Sequence, residues 1–476
     1  MAQTFFNPPI LELGPDFFDE VEAASFPKAA LRFRNQAAAK TIGLENFSEV
    51  EWKNAFWSFQ ALPNNLKKPL ALRYHGHQFG VYNPQLGDGR GFLYAQLLEK
   101  TGPKKRIFDL GTKGSGQTPY SRQGDGRLTL KGAFREALCT ELLESLGVST
   151  SQTLSIFETG EDLLRHDEPS PTRSAVLVRL SYSHLRIGTF QRLARLGEQE
   201  NLKKLIEYSL KYYDFSLSQE DPSERAAGFL KKIVQRAAAL AASYMTAGFV
   251  HGVLNTDNIN ITGESFDYGP YRFLPFYDPK FTAAYFDHQG LYCFGRQPVS
   301  FLFALEQLAA SMTLIFPDLP YKEILESFSD EFNASLRNSF LNRLNLKSPE
   351  DSESITLQTT TELIAAFFTL LETKKVPFEQ CFFDFFGGWQ EQRLKSSPFW
   401  KEYENSNLKS FFEKFQIADP DKITHPYFKR STPETLLIDQ IEALWQPIAE
   451  KDDWQPFQQK IEAFRSFRGL YHSIQP

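Results

Sequence analysis

Apolar positions divide the chain into a part with strand-like runs and a longer part with helical spacing. Short apolar runs at residues 91–99, 106–113 and 174–181 stand between loops rich in glycine and arginine, which predicts strands. Residues 131–147 carry apolar side chains at helical spacing and end in a glycine, which predicts an amphipathic helix with a glycine cap. From residue 202 onward the pattern is mostly helical and increasingly rich in phenylalanine.

The order of these elements predicts an α+β fold of the protein-kinase-like, two-lobed type, with a β-rich N-lobe followed by a helical C-lobe. The start of the chain is broken by prolines and carries no chemical motif, so we interpret it as an extension packed on the core. We predict an N-terminal extension at 1–70, the N-lobe at 71–190, the C-lobe core with the catalytic and metal-binding segment at 191–300, and a helical C-lobe continuation and extension at 301–476.

The composition is that of a folded globular protein and argues against several classes of function. Hydrophobic residues make up 42% of the 476 residues, and a formal net charge of −6 argues against general nucleic-acid binding. The three cysteines, Cys139, Cys293 and Cys381, lack CxxC spacing, which argues against a disulfide framework or a thiolate zinc site and indicates a reducing compartment. The first residues lack the basic region of a signal peptide, and the most apolar runs are far shorter than the ~20 residues that span a bilayer. We therefore expect a cytoplasmic protein without a membrane partner.

The segment HGVLNTDNINITGESFDYG, residues 251–269, has part of the pattern of a kinase catalytic segment. Kinases of this type place an Asp two residues after the His as the base, an Asn five residues later, and then a metal-binding Asp-Phe-Gly. His251 and Asn258 keep that spacing and Asp267 begins Asp-Tyr-Gly, but Val253 occupies the base position. Asn258 and Asp267 supply oxygen ligands of the kind that Mg²⁺ or Mn²⁺ prefers. Asp257 is the acidic residue near enough in sequence to replace the missing base.

The sequence GDGR occurs twice, at 87–90 and 124–127, on either side of GTKGSGQTPYSR. Glycine-rich turns let backbone N–H groups approach phosphate oxygens, and an adjoining arginine adds a forked donor. Each copy alone is common turn chemistry. Two copies in the same predicted N-lobe favour a phosphate site.

Lys113 ends a predicted strand, where kinase-like folds place the lysine that contacts phosphate and pairs with a helix glutamate. Glu136 and Glu141 both lie on the helix that follows. At about 100° per residue, Glu141 falls in the middle of the apolar face and Glu136 almost opposite, so periodicity favours Glu141 as the partner. The alternative is that Lys113 is a solvated lysine at the end of a strand.

Arg179 lies inside an apolar strand, and Arg186 follows it closely. An arginine in such a strand is costly to bury without an anion or a carboxylate beside it. A bound ligand and a structural salt bridge both satisfy this requirement. Asp109 and Glu161 are the nearby carboxylates that we expect for a salt bridge.

Two further motifs have weaker chemical implications. His75 and His77 have HxH spacing, but no third ligand follows at helical spacing, which favours a structural or pocket-lining role over a metal site. DFFGG at 384–388 lies far from any catalytic segment and predicts a helix end with a glycine cap.

Together these motifs resemble the selenoprotein O family, kinase-fold proteins classed as pseudokinases that act as protein adenylyltransferases. The resemblance rests on HGHQFGVYNPQLGDGR, LGTKGSGQTPYSRQGDGR, VRLSYSHLRIGTF and HGVLNTDNINITGESFDYGPYRFLPFYDP, and ends near residue 300. It implies that ATP binds in the reverse of the kinase orientation, and that AMP passes to a Ser, Thr or Tyr hydroxyl of a protein while pyrophosphate leaves.

The resemblance also implies a role for individual residues. It makes Asp257 the proton acceptor, Asn258 and Asp267 the ligands of Mg²⁺ or Mn²⁺, and Glu136, rather than Glu141, the partner of Lys113. The positions that match nucleotide contacts of the family are Gly87, Gly89, Arg90, Lys113, Asp125, Gly126, Arg179, Arg186 and Asp267.

The chain departs from the family pattern in its cysteines. Members often carry a selenocysteine or cysteine near the C-terminus, in some paired with a cysteine after the metal-binding Asp, whereas this chain has LYHSIQP at 470–476 and FTAAYFDH at 281–288. We therefore do not predict redox control by that route. Transfer of UMP, phosphotransfer at the same site, and a non-catalytic pseudokinase scaffold that binds nucleotide remain as alternative functions.

Overall fold

A computed structural model of the protein describes residues 7–102, 105–166, 168–213, 215, 221–348 and 353–471. The strands are β1 (Phe18–Glu20), β2 (Ala30–Arg34), β3 (Leu70–Leu72), β4 (Gly76–Gln78), β5 (Val81–Asn83), β6 (Leu93–Leu98), β7 (Ile107–Lys113), β8 (Leu128–Thr129), β9 (Gln152–Leu163), β10 (Thr172–Ser181), β11 (Phe249–Val250), β12 (Arg272–Phe273), β13 (Leu346–Lys347) and β14 (Gln416–Ile417).

The α-helices are α1 (Gln36–Thr41), α2 (Glu49–Phe56), α3 (Leu130–Ser145), α4 (Ile187–Leu196), α5 (Gln199–Tyr212), α6 (Pro222–Ala247), α7 (Gln297–Met312), α8 (Tyr321–Arg343), α9 (Glu353–Lys374), α10 (Phe378–Asp384), α11 (Glu391–Leu394), α12 (Trp400–Glu404), α13 (Leu408–Phe412), α14 (Pro420–Ile423), α15 (Ile438–Lys451) and α16 (Gln455–Ser466). Short 3₁₀ helices cover Pro9–Leu13, Thr256–Asn258, Phe294–Arg296 and Pro426–Lys429.

One antiparallel sheet of eight strands forms the β-rich part, in the order β1-β3-β6-β7-β10-β9-β2, with β8 paired to β10. Alternate residues of a strand point to opposite faces. Val176 and Val178 of β10 accordingly pack with Trp52 of α2, whereas Leu177 packs on the other face with Phe134 of α3. The sheet is therefore covered on both faces, and helices follow it for most of the remaining chain.

The predicted α+β class is confirmed, as are the main predicted elements. The runs at 91–99, 106–113 and 174–181 form β6, β7 and β10, and the predicted helix at 131–147 is α3, although it is buried nearly all round rather than amphipathic. The pattern does not predict β1, β2 or β9, although all three belong to the large sheet. β9 buries several polar residues, among them Thr153, Ser155 and Thr159, so it has no continuous apolar run.

The large sheet includes strands from the N-terminal part of the chain. β1 pairs with β3 and β2 pairs with β9, so two strands from residues 1–70 are built into the sheet. The domain boundaries predicted from the sequence stay a prediction. Within the described residues, no helix combines the length and the apolar character that crossing a membrane requires.

Candidate active site

A cleft of about 780 Å³ lies between the large sheet and the segment 251–269. Its volume is in the range typical of ligand sites in proteins. Both GDGR turns, the strand end at Lys113, and the side chains of Asp257 and Asp267 line it. The fold thus brings together motifs that are up to 180 residues apart in the sequence, 87–90 and 267.

Lys113 anchors the floor of the cleft from the end of β7. Its Nζ lies 2.6 Å from Oε2 of Glu136 and 2.8 Å from Oδ1 of Asp267, and its side chain is only 4% exposed. A solvated lysine at a strand end would be exposed, so that alternative is wrong. The two carboxylates hold the Lys113 ammonium in place at the cleft.

The periodicity prediction of Glu141 as the partner of Lys113 is wrong. Glu141 is buried, but its carboxylate accepts hydrogen bonds from Arg465 at 2.8 Å, from Arg468, and from Asn35 at 3.2 Å. The reason is that α3 packs against β9 and β10 on one side and against α16 on the other. A helix that is buried on both sides has no single apolar face, so helical periodicity does not indicate which side meets the cleft.

Arg179 lies beside the same carboxylates. Its Nη1 is 3.6 Å from Oε1 of Glu136 and 3.8 Å from Oδ1 of Asp267, and its guanidinium lies over the ring of Phe266 at 5.5 Å. Among the residues that the structure describes, Nε and Nη1 of Arg179 have no hydrogen-bond partner. Buried donors of this kind indicate a missing acceptor.

The nearby carboxylates expected to pair with Arg179 are engaged elsewhere. Asp109 accepts the backbone N–H of His184 at 2.8 Å. Glu161 accepts from Nε of Arg127 at 2.9 Å. The expectation of a salt bridge from Arg179 to Asp109 or Glu161 is therefore wrong, because β10 turns the Arg179 side chain towards α3 and the cleft.

Arg186 joins the first GDGR turn to the catalytic segment. Nη2 donates to Oδ1 of Asp88 at 3.1 Å, and Nη1 donates to the backbone oxygen of Asp257 at 3.1 Å. The guanidinium lies over the rings of Tyr74 at 4.4 Å and Phe266 at 5.0 Å. Asp88 stands inside the GDGR turn but was not singled out from the sequence, since nothing local indicates an arginine so far along the chain.

Asp257 is buried at the edge of the cleft, with 8% of its surface exposed. Within the described part of the chain, its Oδ1 has no hydrogen-bond partner. Burial raises the pKa of Asp257 to about 6, although the charge of Arg186 lowers it. A carboxylate that is weakly solvated and more basic than usual is suited to accept a proton at neutral pH.

Val253, at the usual base position, packs against the hydrophobic core. The neighbouring His251 supports the segment, since its Nε2 lies 2.9 Å from the backbone oxygen of Phe266 and its backbone N–H donates to Gln297 at 3.0 Å. His251 thus keeps a structural contact with the residue before Asp267. The base position itself contributes packing and no chemistry.

Asp267 adopts a left-handed backbone conformation, with φ of 65°, which Asp and Asn accept more readily than most residues. Burial alone would raise its pKa, but Lys113 and Arg179 outweigh burial and hold the pKa of Asp267 well below its usual range. The amide of Asn258 lies 3.2 Å from Oδ2 of Asp267. The two side chains are therefore in direct contact, and the carboxylate of Asp267 lines the cleft.

Asn258 and Asp267 are suited to hold Mg²⁺ or Mn²⁺. Magnesium sites on nucleotides use one or two protein carboxylates and leave other positions to phosphate and water. Among the described residues, no group of three or more His, Cys, Asp or Glu side chains is arranged to hold a metal ion.

The first GDGR turn depends on its glycines. A β-carbon at Gly87 would lie 2.3 Å from the ring of Tyr120, and one at Gly89 would lie 2.8 Å from the Tyr120 backbone oxygen. Ser121 also donates to the backbone oxygen of Gly89. The segment between the two GDGR copies thus packs directly on the first turn, and Arg90 stands exposed at the cleft.

The second GDGR turn closes the other side of the cleft. Gly126 has a φ of 69°, and a β-carbon there would lie 2.3 Å from the carbonyl carbon of Gly116. Asp125 accepts from Arg165 at 2.8 and 3.1 Å, and this pairing was not predicted. Asp125 therefore stands at the rim, with its side chain 48% exposed.

The two remaining motifs lie outside this chemistry. Nδ1 of His77 lies 2.8 Å from Nε2 of Gln191, and Nδ1 of His75 lies 2.6 Å from the hydroxyl of Tyr82. Burial lowers the pKa of His75 to about 4. Helix α10 ends at Asp384, the first residue of DFFGG, and the two glycines of the segment have φ of 86° and 82°, which confirms the predicted helix end.

Comparison with known proteins identifies the family of the chain. A model of the family described as "Protein adenylyltransferase SelO" matches residues 1–465. The "Protein nucleotidyltransferase YdiU" of Synechocystis sp. is 42% identical, over 97% of this chain and 98% of the relative. The protein of the same name from Trichodesmium erythraeum is 41% identical, over 95% and 96%. That from Vibrio cholerae is 38% identical, over 66% and 61%.

The class of protein follows from the fold, the cleft and these matches: it is an enzyme of the nucleotidyltransferase class with an α+β fold. The chain belongs to the SelO family, and the relatives given above carry the name YdiU.

Proposed function

We propose that this protein transfers AMP from ATP to Ser, Thr or Tyr hydroxyl groups of other proteins and releases pyrophosphate. The observation that carries the proposal is the buried, unpaired Oδ1 of Asp257, described above, on a cleft lined by several cations. These cations are Arg90, Lys113, Arg179 and Arg186. Charge of this density suits a pyrophosphate leaving group better than a single transferred phosphoryl group.

In the proposed reaction, Asp257 accepts the proton of the acceptor hydroxyl as its oxygen attacks the α-phosphorus of ATP. The bond from the α-phosphorus to the bridging oxygen breaks, and that oxygen leaves with pyrophosphate. The cations listed above neutralise the charge that develops on the leaving group. The raised pKa of Asp257 supports this role, because a base works best when its pKa approaches the working pH.

The remaining predicted contacts keep the roles that the family resemblance implies. We propose that the turns at Gly87, Gly89 and Gly126, with Asp125, hold the nucleotide from the sheet side. Asn258 and Asp267 would hold Mg²⁺ or Mn²⁺, and the ion would neutralise part of the charge on the phosphates. The cytoplasmic location predicted from the sequence stays a prediction.

Parallel reactions with α-labelled and γ-labelled ATP test the proposal. We expect label to enter acceptor proteins from the α position only, and pyrophosphate to accumulate in equal amount. Label that enters only from the γ position would instead establish phosphotransfer. Labelled UTP in a third reaction separates UMP transfer from AMP transfer.

A catalytically silent scaffold makes a different prediction. In that case wild type and Asp257→Ala would both bind nucleotide, and neither would release pyrophosphate or label a protein. Mass spectrometry of lysate proteins modified by wild type but not by Asp257→Ala identifies the acceptor proteins.

A further inference from the structure

His184 lies between the two arginines of the cleft in sequence, and the sequence motifs give it no function. Its side chain is 4% exposed and lines the same cleft as Lys113 and Arg179. In the part of the chain that the structure describes, its Nε2 has no hydrogen-bond partner. A buried polar atom at the wall of a cleft indicates that a ligand or water supplies the missing partner.

The other side of the imidazole is held in place. Nδ1 of His184 lies 3.3 Å from Oδ2 of Asp109, which also accepts the His184 backbone N–H at 2.8 Å. The second oxygen of Asp109 accepts from Nε2 of Gln96 at 2.7 Å. Asp109 is therefore itself fixed, and it sets which ring nitrogen of His184 faces the cleft.

The imidazole ring of His184 packs against Gly111 of β7, which has no side chain to obstruct it. A β-carbon at Gly111 would lie 2.0 Å from Nε2 of His184, so no other residue at that position leaves the ring where it is. Gly111 of β7 pairs directly with Arg179 of β10. Because β-carbons of such pairs lie about 4.5–5.5 Å apart, Nε2 of His184 lies beside the base of the Arg179 side chain.

We propose that His184 donates a hydrogen bond from Nε2 to the terminal phosphate of the bound nucleotide, with Asp109 as the residue that positions the ring. The inference rests on the proposed function, since it needs a nucleoside triphosphate in the cleft. Asp109 accepts at Nδ1, which leaves Nε2 as the ring nitrogen available to a ligand.

A phosphate accounts for several features at once. Unpaired donors from His184, Arg179 and Arg186 line the cleft, and each lacks a partner among the described residues. A terminal phosphate offers three acceptor oxygens to such donors. A metal ion at Nε2 is disfavoured, because the neighbouring guanidinium groups repel it.

Two variants of His184 separate this contact from a structural role. The Asn side chain of His184→Asn reaches Asp109 but stops short of the Nε2 position, whereas the Gln side chain of His184→Gln reaches the Nε2 position with an N–H group. We expect His184→Asn to weaken binding of ATP and of pyrophosphate by about tenfold or more, because hydrogen bonds to charged groups contribute that much. His184→Gln should retain most of the affinity, and both variants should bind AMP as wild type does.

Calorimetry with ATP, pyrophosphate and AMP, each with Mg²⁺, measures these affinities. If His184→Asn binds pyrophosphate as tightly as wild type, the contact does not exist, and the proposed function stands. If wild type itself binds no ATP, the proposed function fails and this inference fails with it. Equal losses for AMP and pyrophosphate would show a structural role instead.

A measurement on wild type keeps the test independent of folding. In protein with ¹⁵N-labelled histidine, we expect pyrophosphate to shift the Nε2 resonance of His184 and AMP to leave it in place. Asp109→Asn should change the Nδ1 and Nε2 resonances of His184 and weaken pyrophosphate binding while AMP binding is retained. An Nε2 resonance that does not respond to pyrophosphate overturns the proposal.

Discussion

Lys113 on β7 and Glu136 on α3 form a buried ion pair of 2.6 Å at the floor of the cleft. The pair fixes the lysine between the helix and Asp267, whose Oδ1 lies 2.8 Å from the same Nζ. The strand, the helix and the catalytic segment are therefore tied together through one ammonium group. We therefore expect a change in any one of these three groups to alter how the other two meet a nucleotide in the cleft.

Replacement of Glu136 tests this arrangement. We expect Glu136→Gln to lower kcat/KM for nucleotide transfer by about tenfold or more, because a hydrogen bond between charged groups contributes about 1.5–3 kcal/mol. Steady-state kinetics with labelled ATP measures the change. An unchanged kcat/KM would contradict the role of the pair in holding Lys113.

Glu141→Gln is the matched control on the same helix. Its carboxylate binds Arg465 and Arg468 rather than a cleft residue, so we expect a lower free energy of unfolding and an unchanged kcat/KM. The loss should be about 1–3 kcal/mol, the usual penalty for a buried group that loses charged partners. Chemical denaturation gives that value. If Glu141→Gln loses activity without losing stability, Glu141 and not Glu136 is the glutamate that serves the cleft.

Asp257→Asn removes the proposed base and keeps its shape. We expect transfer to fall by about 10²–10⁴-fold, the usual contribution of a general base, while ATP affinity changes little. Label incorporation and calorimetry on the same preparation separate the two effects. Transfer that persists at the wild-type rate would exclude Asp257 as the proton acceptor.

The usual kinase position does not offer a substitute base. Val253 packs against the core, so we expect the double variant Asp257→Asn with Val253→Asp to remain inactive and to unfold at a lower temperature than Asp257→Asn alone. Recovery of transfer in the double variant would show that position 253 reaches the acceptor.

Asp267→Asn removes one negative charge from the proposed metal site. Asn accepts the left-handed backbone of this position, so strain is not the cause of any effect. We expect ATP binding to lose its dependence on Mg²⁺ or Mn²⁺. Calorimetry with and without each metal measures this, and undiminished metal-dependent binding would refute the role of Asp267 as a ligand.

Gly126→Ala tests the second GDGR turn against a control with the same backbone strain. Gly126 and Gly80 have φ of 69° and 77°, but only Gly126 has a backbone atom, 2.3 Å away, where a β-carbon would stand, and Gly80 has open space. We expect Gly80→Ala to cost about 1–2 kcal/mol of stability and to leave ATP binding unchanged. Gly126→Ala should cost more and also weaken ATP binding, as measured by denaturation and calorimetry. Equal effects of the two changes on ATP binding would show that the second GDGR turn is not part of the nucleotide site.

Several elements of the site could be predicted because their signals are local. The proposed metal ligands Asn258 and Asp267 lie nine residues apart on one segment, and Lys113 ends a strand that its own apolar run identifies. The strands β6, β7 and β10 were predicted for the same reason. β9 was not, because its buried polar residues are satisfied by partners from other parts of the fold, such as the bond from Trp52 to Ser155 at 3.0 Å.

The sequence by itself determined the α+β class and indicated a candidate catalytic segment and candidate phosphate-binding residues, because spacing and residue chemistry are properties of a short stretch of chain. Only the tertiary structure showed that Glu136, and not the Glu141 that periodicity favours, meets Lys113, that Arg186 binds Asp88, and that His184 lines the cleft. The physical reason is that packing across long sequence separations sets these contacts. α16 buries the outer side of α3 and engages Glu141, which leaves Glu136 for the active site.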